Sequence, residues 1–328
     1  MLLRIANESS VRILSQRNQK WHKIVHDKMA CGVFSKFQKS EDQVFIYGED
    51  DKRFMFEKSI DNEMNLLNAT YLVDQKVQNS YIKLVEKAVR ELEETSLKKV
   101  VLSRKQRFQK RTSDLEILIK LLSSYPAANC YFFYHPKVGK WMGATPEVLV
   151  SIEEGKLQTM SLAGTALYHK NETHHWGKKE IEEQQLVTDF IIDSLYENGA
   201  LDIKKSEVKT VQAGNLIHLK TDIEAIIENQ GRSPFIEALH PTPAVCGLPR
   251  DHAMNFILEN ENYNRSFYTG YLGVVEQTKA VYFVNLRCME LHDDQVDLYV
   301  GGGITKWSDP KKEFEETVNK LATMKKLL

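Results

Sequence analysis

From Gln75 to Leu328 the apolar residues switch repeatedly between helical and strand spacing, and the strand-like runs sit side by side instead of alternating one for one with helices. That order argues against repeated βαβ units and predicts an α+β fold built on large antiparallel sheets. Val77, Tyr81, Leu84, Val85, Ala88 and Leu92 recur at helical spacing, which predicts an amphipathic helix of about five turns from Gln75. Val100-Val101-Leu102 then reads as a strand, and Ser113 with Glu116 as a capping box opening a helix that Pro126 stops. A strand follows at 130–134, and 148–152 and 157–162 form a hairpin about Glu153-Glu154-Gly155-Lys156. Further strands are expected at 216–227, 267–276, 280–291 and 296–300, with helices near 179–197, 250–261 and 309–327. Before Gln75 only Gly32-Val33-Phe34 and Val44-Phe45-Ile46-Tyr47 read as strands. No linker or repeat divides the chain, so residues 1–75 are expected to add strands to the same fold as the larger unit, 76–328.

Charge excludes several partners. The 44 Lys and Arg nearly balance the 45 Asp and Glu, a net charge of -1 that offers no basic field to nucleic acid or an anionic membrane. No run is apolar for long enough to span a bilayer, and the N-terminal residues hold no uninterrupted apolar stretch of the export type. A cytoplasmic protein is expected. Cys31, Cys130, Cys246 and Cys288 are scattered, without the spacing of zinc ligands, and read as buried free thiols.

The acids are more informative. On the helix that starts near Lys179, Glu180 and Glu183 extend the stripe of Val187, Phe190 and Ile191. On the last helix, capped by Ser308 or Asp309 with Pro310 in its first turn, Glu313, Glu316 and Lys320 border the apolar stripe of Phe314, Val318 and Leu321. A carboxylate facing inward needs a partner, because desolvating it alone costs several kcal/mol. Two E-x-x-E faces meeting over a hard cation would favour Mg²⁺; two solvated helix faces would carry the same pattern.

Val300-Gly301-Gly302-Gly303-Ile304 joins a strand to that capped helix and reads either as a tight turn or as backbone that lets an anion approach. Arg287 lies within the apolar run from Val281 to Cys288, where a guanidinium suits a carboxylate ligand or a structural ion pair. Lys99 opens its strand on the face of Val101. To act as a base a lysine must shed its proton, which desolvation favours.

These segments, in this order, resemble the chorismate-binding enzymes, which include the anthranilate, aminodeoxychorismate, salicylate and isochorismate synthases. The matching stretches are KKVVLSR (98–104), GATPEVLV (143–150), TMSLAGT (159–165), EEQQLV (182–187), LHPTPAVCGLPR (239–250), YTGYLG (268–273), VNLRC (284–288) and YVGGGITKWSDPKKEFEETVNKL (299–321). The resemblance implies a two-lobed α+β fold of large antiparallel sheets flanked by helices, like anthranilate synthase component I, with 76–328 as the chorismate-binding catalytic domain. It implies a Mg²⁺ site with Glu183 and Glu316 as ligands and Glu180 and Glu313 close by. Arg287, Gly303 and Lys320 match contacts to substrate carboxylates, His218 lines the ring site, and Gly164 and Thr242 fall in matching substrate-binding stretches. Lys99 matches the base that activates water, where ammonia-using members carry Gln, so no amidotransferase subunit is expected. Glu147 matches the acid that protonates the departing C4 hydroxyl. Ala163 stands where aminodeoxychorismate enzymes carry a nucleophilic Lys, and Gln184 and Gln185 where some members carry His and Glu. The expectation is an isochorismate synthase acting on chorismate, for menaquinone or siderophore biosynthesis. A salicylate synthase and a non-catalytic chorismate-binding protein are the competing expectations.

Overall fold

The computed structural model describes residues 1–20, 22–23, 29–38, 43–57, 74–168, 174–213, 216–227 and 231–328. The N-terminal strands are β1 (Leu2–Arg4), β2 (Ser10–Ser15), β3 (Cys31–Ser35), β4 (Val44–Tyr47) and β5 (Asp50–Met55). After helix α1 (Gln75–Glu94) come β6 (Lys99–Gln109), α2 (Asp114–Ser124), β7 (Asn129–His135), β8 (Gly139–Thr145), β9 (Val148–Glu153) and β10 (Lys156–Leu167). Helix α3 (Lys178–Glu197) leads to β11 (Leu201–Lys205), β12 (Lys209–Ala213), β13 (Leu216–Ile226), α4 (Ser233–Leu239), β14 (Gly247–Leu248) and α5 (Arg250–Asn260). The chain ends with β15 (Tyr271–Val275), β16 (Lys279–Val284), β17 (Cys288–Leu291), β18 (Gln295–Ile304) and α6 (Pro310–Lys325).

Two antiparallel sheets result. The first runs β14-β6-β18-β17-β8-β7-β1-β2-β5, and the second β11-β13-β10-β9-β16-β15-β3-β4, with β12 also on β13. The sheets face each other across an aromatic core in which Tyr131, Phe133 and Trp141 of the first meet Phe34, Leu272 and Phe283 of the second. Phe34 stacks on Phe267 at 4.2 Å between centroids, an arrangement worth about 0.5–1.5 kcal/mol beyond area burial. Helices α2 and α6 cover the outer face of the first sheet, α1 and α5 extend that cover around β6, and α3 and α4 pack on the second. The α+β expectation holds, and the N-terminal strands enter both sheets.

The helix ends follow local chemistry. Asp74 caps α1, Ser113 and Glu116 form the expected capping box, and Asp309 accepts from the Lys311 and Lys312 amides with Pro310 next to it. All four cysteines are buried, and none is in a disulfide among the described residues.

Two expectations need correction. The run 280–291 is not one strand: β16 belongs to the second sheet and β17 to the first, and the chain crosses between them at Asn285-Leu286-Arg287. Asn285 pins the crossing, donating to Phe267 O (2.8 Å) and accepting from Tyr131 OH (2.6 Å), and Arg287 takes φ +46°. The strand expected at 267–276 begins only at Tyr271, because Phe267 to Gly270 form a turn in which Thr269 has φ +58°.

Candidate active site

The central pair of strands is β6 and β18. Their ladder sets Gly301 opposite Ser103, Gly302 opposite Leu102 and Gly303 opposite Val101, so the glycines continue a strand and do not form the turn considered above. At Gly303 a side chain is excluded for a reason visible in the packing, whereas Gly302 has room for one. A Cβ on Gly303 would lie 2.4 Å from Glu183 Oε1 and 3.0 Å from Lys99 Cε, and one on Gly302 3.6 Å from both Glu313 Oε2 and Glu316 Oε1. The glycine strand is thus the floor on which the acids of α3 and α6 converge. Gly303→Ala is expected to lower turnover by roughly a hundredfold by displacing Glu183 and Lys99, a shift of the kind to which positioned groups are sensitive; steady-state kinetics beside a thermal melt separates this from unfolding.

Each converging acid has its own lysine. Lys99 Nζ lies 2.9 Å from Glu183 Oε1, Lys179 Nζ 2.5 Å from Glu313 Oε1, and Lys320 Nζ 2.7 Å from Glu316 Oε1. Lys99 is fully buried, and its ammonium is off the hydrogen-bonding direction of Glu183. Burial opposes ionisation of Glu183, but Lys99 and Lys179 outweigh it and hold the carboxylate below its usual range. At Glu313 burial wins over Lys179, and with Glu316 nearby the carboxyl is raised. Glu313 Oε2 is buried and has no hydrogen-bond partner among the described residues.

The second group converges from the other sheet. Glu147, in the turn between β8 and β9, is only 4% exposed, and burial raises its pKa to about 8 against the opposing charge of Lys99. It is therefore a protonated acid at neutral pH. His218 on β13 is pushed down to about 3, first by burial and then by Arg287 and Lys320, and is neutral. Its neighbours define its tautomer: Nδ1 donates to Gly164 O (3.1 Å), and Nε2 accepts from Arg287 Nη2 (2.8 Å). Gly164 has φ +72° at an irregularity in the β10–β13 register, which turns its carbonyl toward the ring. Burial lowers Arg287 to about 10, which leaves it charged at neutral pH.

One cleft joins these groups between the ends of the two sheets. Glu147, Gly164, His218 and Arg287 form one side, and Glu183, Gly303 and Lys320 the other. Five predicted residues, Thr242, Glu180, Glu313, Glu316 and Lys99, do not line the cleft. Thr242 is buried outside the cleft wall, where its carbonyl accepts from the Val245 and Cys246 amides; the wall itself holds Ala244 and Val245. Glu180 turns its carboxylate to its own helix N-terminus, with Oε2 2.6 Å from where a Cβ on Gly177 would sit. Glu313 and Glu316 stand behind Gly302.

Sequence reasoning missed Lys179, which served there only to mark a helix start, and the contributions of Tyr268, Thr269 and Leu286 to the wall. Gln184 is a tie, with Nε2 2.8 Å from Thr221 Oγ1 and 3.0 Å from Ser161 Oγ and Thr188 Oγ1, so it locks α3 to β10 and β13. A tighter set of ligand atoms, Glu290, His292 and Asp297, lies near the other end of β18, where Arg107 and Lys105 neutralise Asp297.

The sequence model for the family described as chorismate binding enzyme matches residues 19–328. The isochorismate synthase MenF of Escherichia coli (strain K12) is 29% identical over 262 residues, covering 76% of this chain and 60% of that protein. The isochorismate synthase MenF of Pasteurella multocida (strain Pm70) is 30% identical over 276 residues, covering 78% and 63%. The chain thus spans 60 and 63% of the lengths of these two curated relatives. The solved structure of MenF, the menaquinone-specific isochorismate synthase from Escherichia coli, shares the fold at a TM-score of 0.85 with 20% identity, over 100% of this chain and 88% of that one.

Proposed function

Since the chain belongs to the chorismate-binding enzymes, we propose that it is an isochorismate synthase that interconverts chorismate and isochorismate. The observation that carries this reading is a carboxylic acid on the cleft wall that stays protonated at neutral pH, Glu147, together with a fully buried lysine, Lys99, whose Nζ lies 2.9 Å from Glu183 of the same wall. The names of the relatives point the same way.

In the forward direction Lys99, acting as the neutral amine after its ammonium proton has passed to solvent, takes a proton from the water that attacks C2. The ring double bonds shift, and the C4 hydroxyl leaves as water with the proton of Glu147. One water enters and one leaves, so substrate and product are isomers, and the exchanged protons return through solvent. Arg287, Lys320 and the Gly303 amide receive the substrate carboxylates, while neutral His218 and Gly164 border the ring. Because water is the nucleophile, no amidotransferase subunit is needed.

The cage fits a hard divalent cation. Its donors are all oxygen, from Glu183, Glu313 and Glu316, and one buried oxygen of Glu313 has no hydrogen bond among the described residues. We assign these three to Mg²⁺ and leave Glu180 at its helix end. When bound, the ion supplies positive charge that fixes a substrate carboxylate. No helix among the described residues is long and apolar enough to cross a membrane. The proposed setting is cytoplasmic, in menaquinone or siderophore biosynthesis.

The test is incubation of the purified protein with chorismate, with and without magnesium chloride, and separation of the products by chromatography with mass detection. Isochorismate beside residual chorismate, formed only with magnesium, is the expected result. Salicylate with pyruvate would reassign the chain to the pyruvate-eliminating reaction, and dependence on added ammonium would overturn the role given to Lys99.

A further inference from the structure

The cage holds three carboxylates, and each is matched by one ammonium: Lys99 with Glu183, Lys179 with Glu313, Lys320 with Glu316. Two of these lysines are accounted for by the proposed reaction, and both are held in place. Lys99 is walled in at 0% exposure, and Lys320 also donates to Gly301 O at 3.1 Å. Lys179 is different. Its side chain is as exposed as that of Lys320, 22% against 20%, but Glu313 is the only hydrogen-bond partner of its ammonium among the described residues. It also stands in the first turn of α3, where the helix dipole disfavours a cation, so the acids opposite are what hold it there.

We propose that Lys179 is the built-in counter-ion of the metal-free cage, and that a divalent cation binds by displacing its ammonium from Glu313 toward solvent. The inference rests on the assignment of Glu183, Glu313 and Glu316 as the metal site. Charge balance gives the reason for displacement. Three carboxylates and three ammoniums sum to zero, so a dication added beside all three lysines leaves +2, and one added with Lys179 swung out leaves +1, which a single substrate carboxylate neutralises. Lys179 is also the lysine that leaves at least cost, since it gives up only its bond to Glu313, whereas Lys320 would also lose Gly301 O and Lys99 has no exposure at all. The ammonium protects the cage from self-repulsion when metal is scarce and lowers its affinity for metal by the same interaction.

The experiment is calorimetric titration of magnesium chloride into the metal-free full chain, without substrate, for the wild type and for Lys179→Met, Lys179→Arg and Glu316→Gln. Lys179→Met is expected to bind Mg²⁺ about tenfold more tightly than wild type, because a competing unit charge near the site is gone, and Lys179→Arg to stay near wild type. Thermal melts give a second readout: metal-free Lys179→Met melts below wild type, and magnesium raises its Tm by more than it raises that of wild type. Should the methionine variant not fold, Lys179→Gln takes its place with the same expectation. Affinity that is unchanged or weaker in the neutral variant, or that rises equally in Lys179→Arg, would overturn the inference while leaving the metal site standing. Wild-type affinity retained in Glu316→Gln, or no binding by wild type, would remove the metal assignment itself and the inference with it.

Discussion

Lys99→Met is expected to leave a folded protein whose turnover of chorismate falls by about a thousandfold, the middle of the range for loss of a positioned general base. Methionine keeps most of the volume of a side chain that has no exposure at all, so packing against β18 survives. What is lost is the ammonium 2.9 Å from Glu183. Removing one partner of a buried ion pair costs about 3–5 kcal/mol when the other charge is left uncompensated. Here the cost depends on the metal: without magnesium Glu183 keeps only the more distant Lys179 and Lys320, and the melting temperature should drop, whereas added magnesium should restore much of it. Chorismate affinity should change far less than kcat. A variant that retained wild-type turnover would remove Lys99 from the reaction altogether.

Glu147→Gln should cost a similar factor, about 10²–10⁴, with a distinct signature in pH. The wild-type carboxyl titrates near 8, well above its ordinary value, because burial penalises its charged form. The sign follows directly. Below about 8 the group carries the proton that the leaving hydroxyl needs; above it the proton is gone, and kcat at saturating chorismate and magnesium should fall on the alkaline side. Glutamine is nearly isosteric but has no acidic proton to give, so the residual rate of the variant should lack that alkaline fall. An unchanged profile in the variant would assign the alkaline limb to another group. His218, neutral across this range, contributes no limb above pH 5.

Much of this was legible in the sequence because the decisive features are local. The capping box of Ser113 and Glu116, the Asp309-Pro310 start of α6, and the helical spacing from Val77 to Leu92 each depend on residues three or four apart. The two E-x-x-E faces could be placed on helices for the same reason. What they face is a long-range fact, and the spacing of Glu180 and Glu183 did not tell that one carboxylate turns to its own N-terminus while the other meets Lys99. Lys179 stayed hidden because a lysine at a helix start looks the same whether it is solvated or enclosed by acids from a helix more than a hundred residues away. The glycine run was ambiguous until its partners on β6 and the carboxylates beyond it were in view. The run from Ala280 to Leu291 misled because its apolar residues continue through a change of sheet; Asn285 and Arg287 were the polar interruptions that marked the crossing. Strands β11 and β12 are too polar to stand out by composition and exist because β13 offers them a ladder.

The central claim is that water attacks C2 as the C4 hydroxyl departs, and the most direct measurement is to run the reaction in ¹⁸O-labelled water with magnesium and weigh the products. The account predicts isochorismate carrying one heavy oxygen at C2, with label appearing later at C4 of the recovered chorismate as the reverse reaction proceeds. Isochorismate formed without label would mean that the hydroxyl migrates within the substrate, which would contradict the roles given to Lys99 and Glu147.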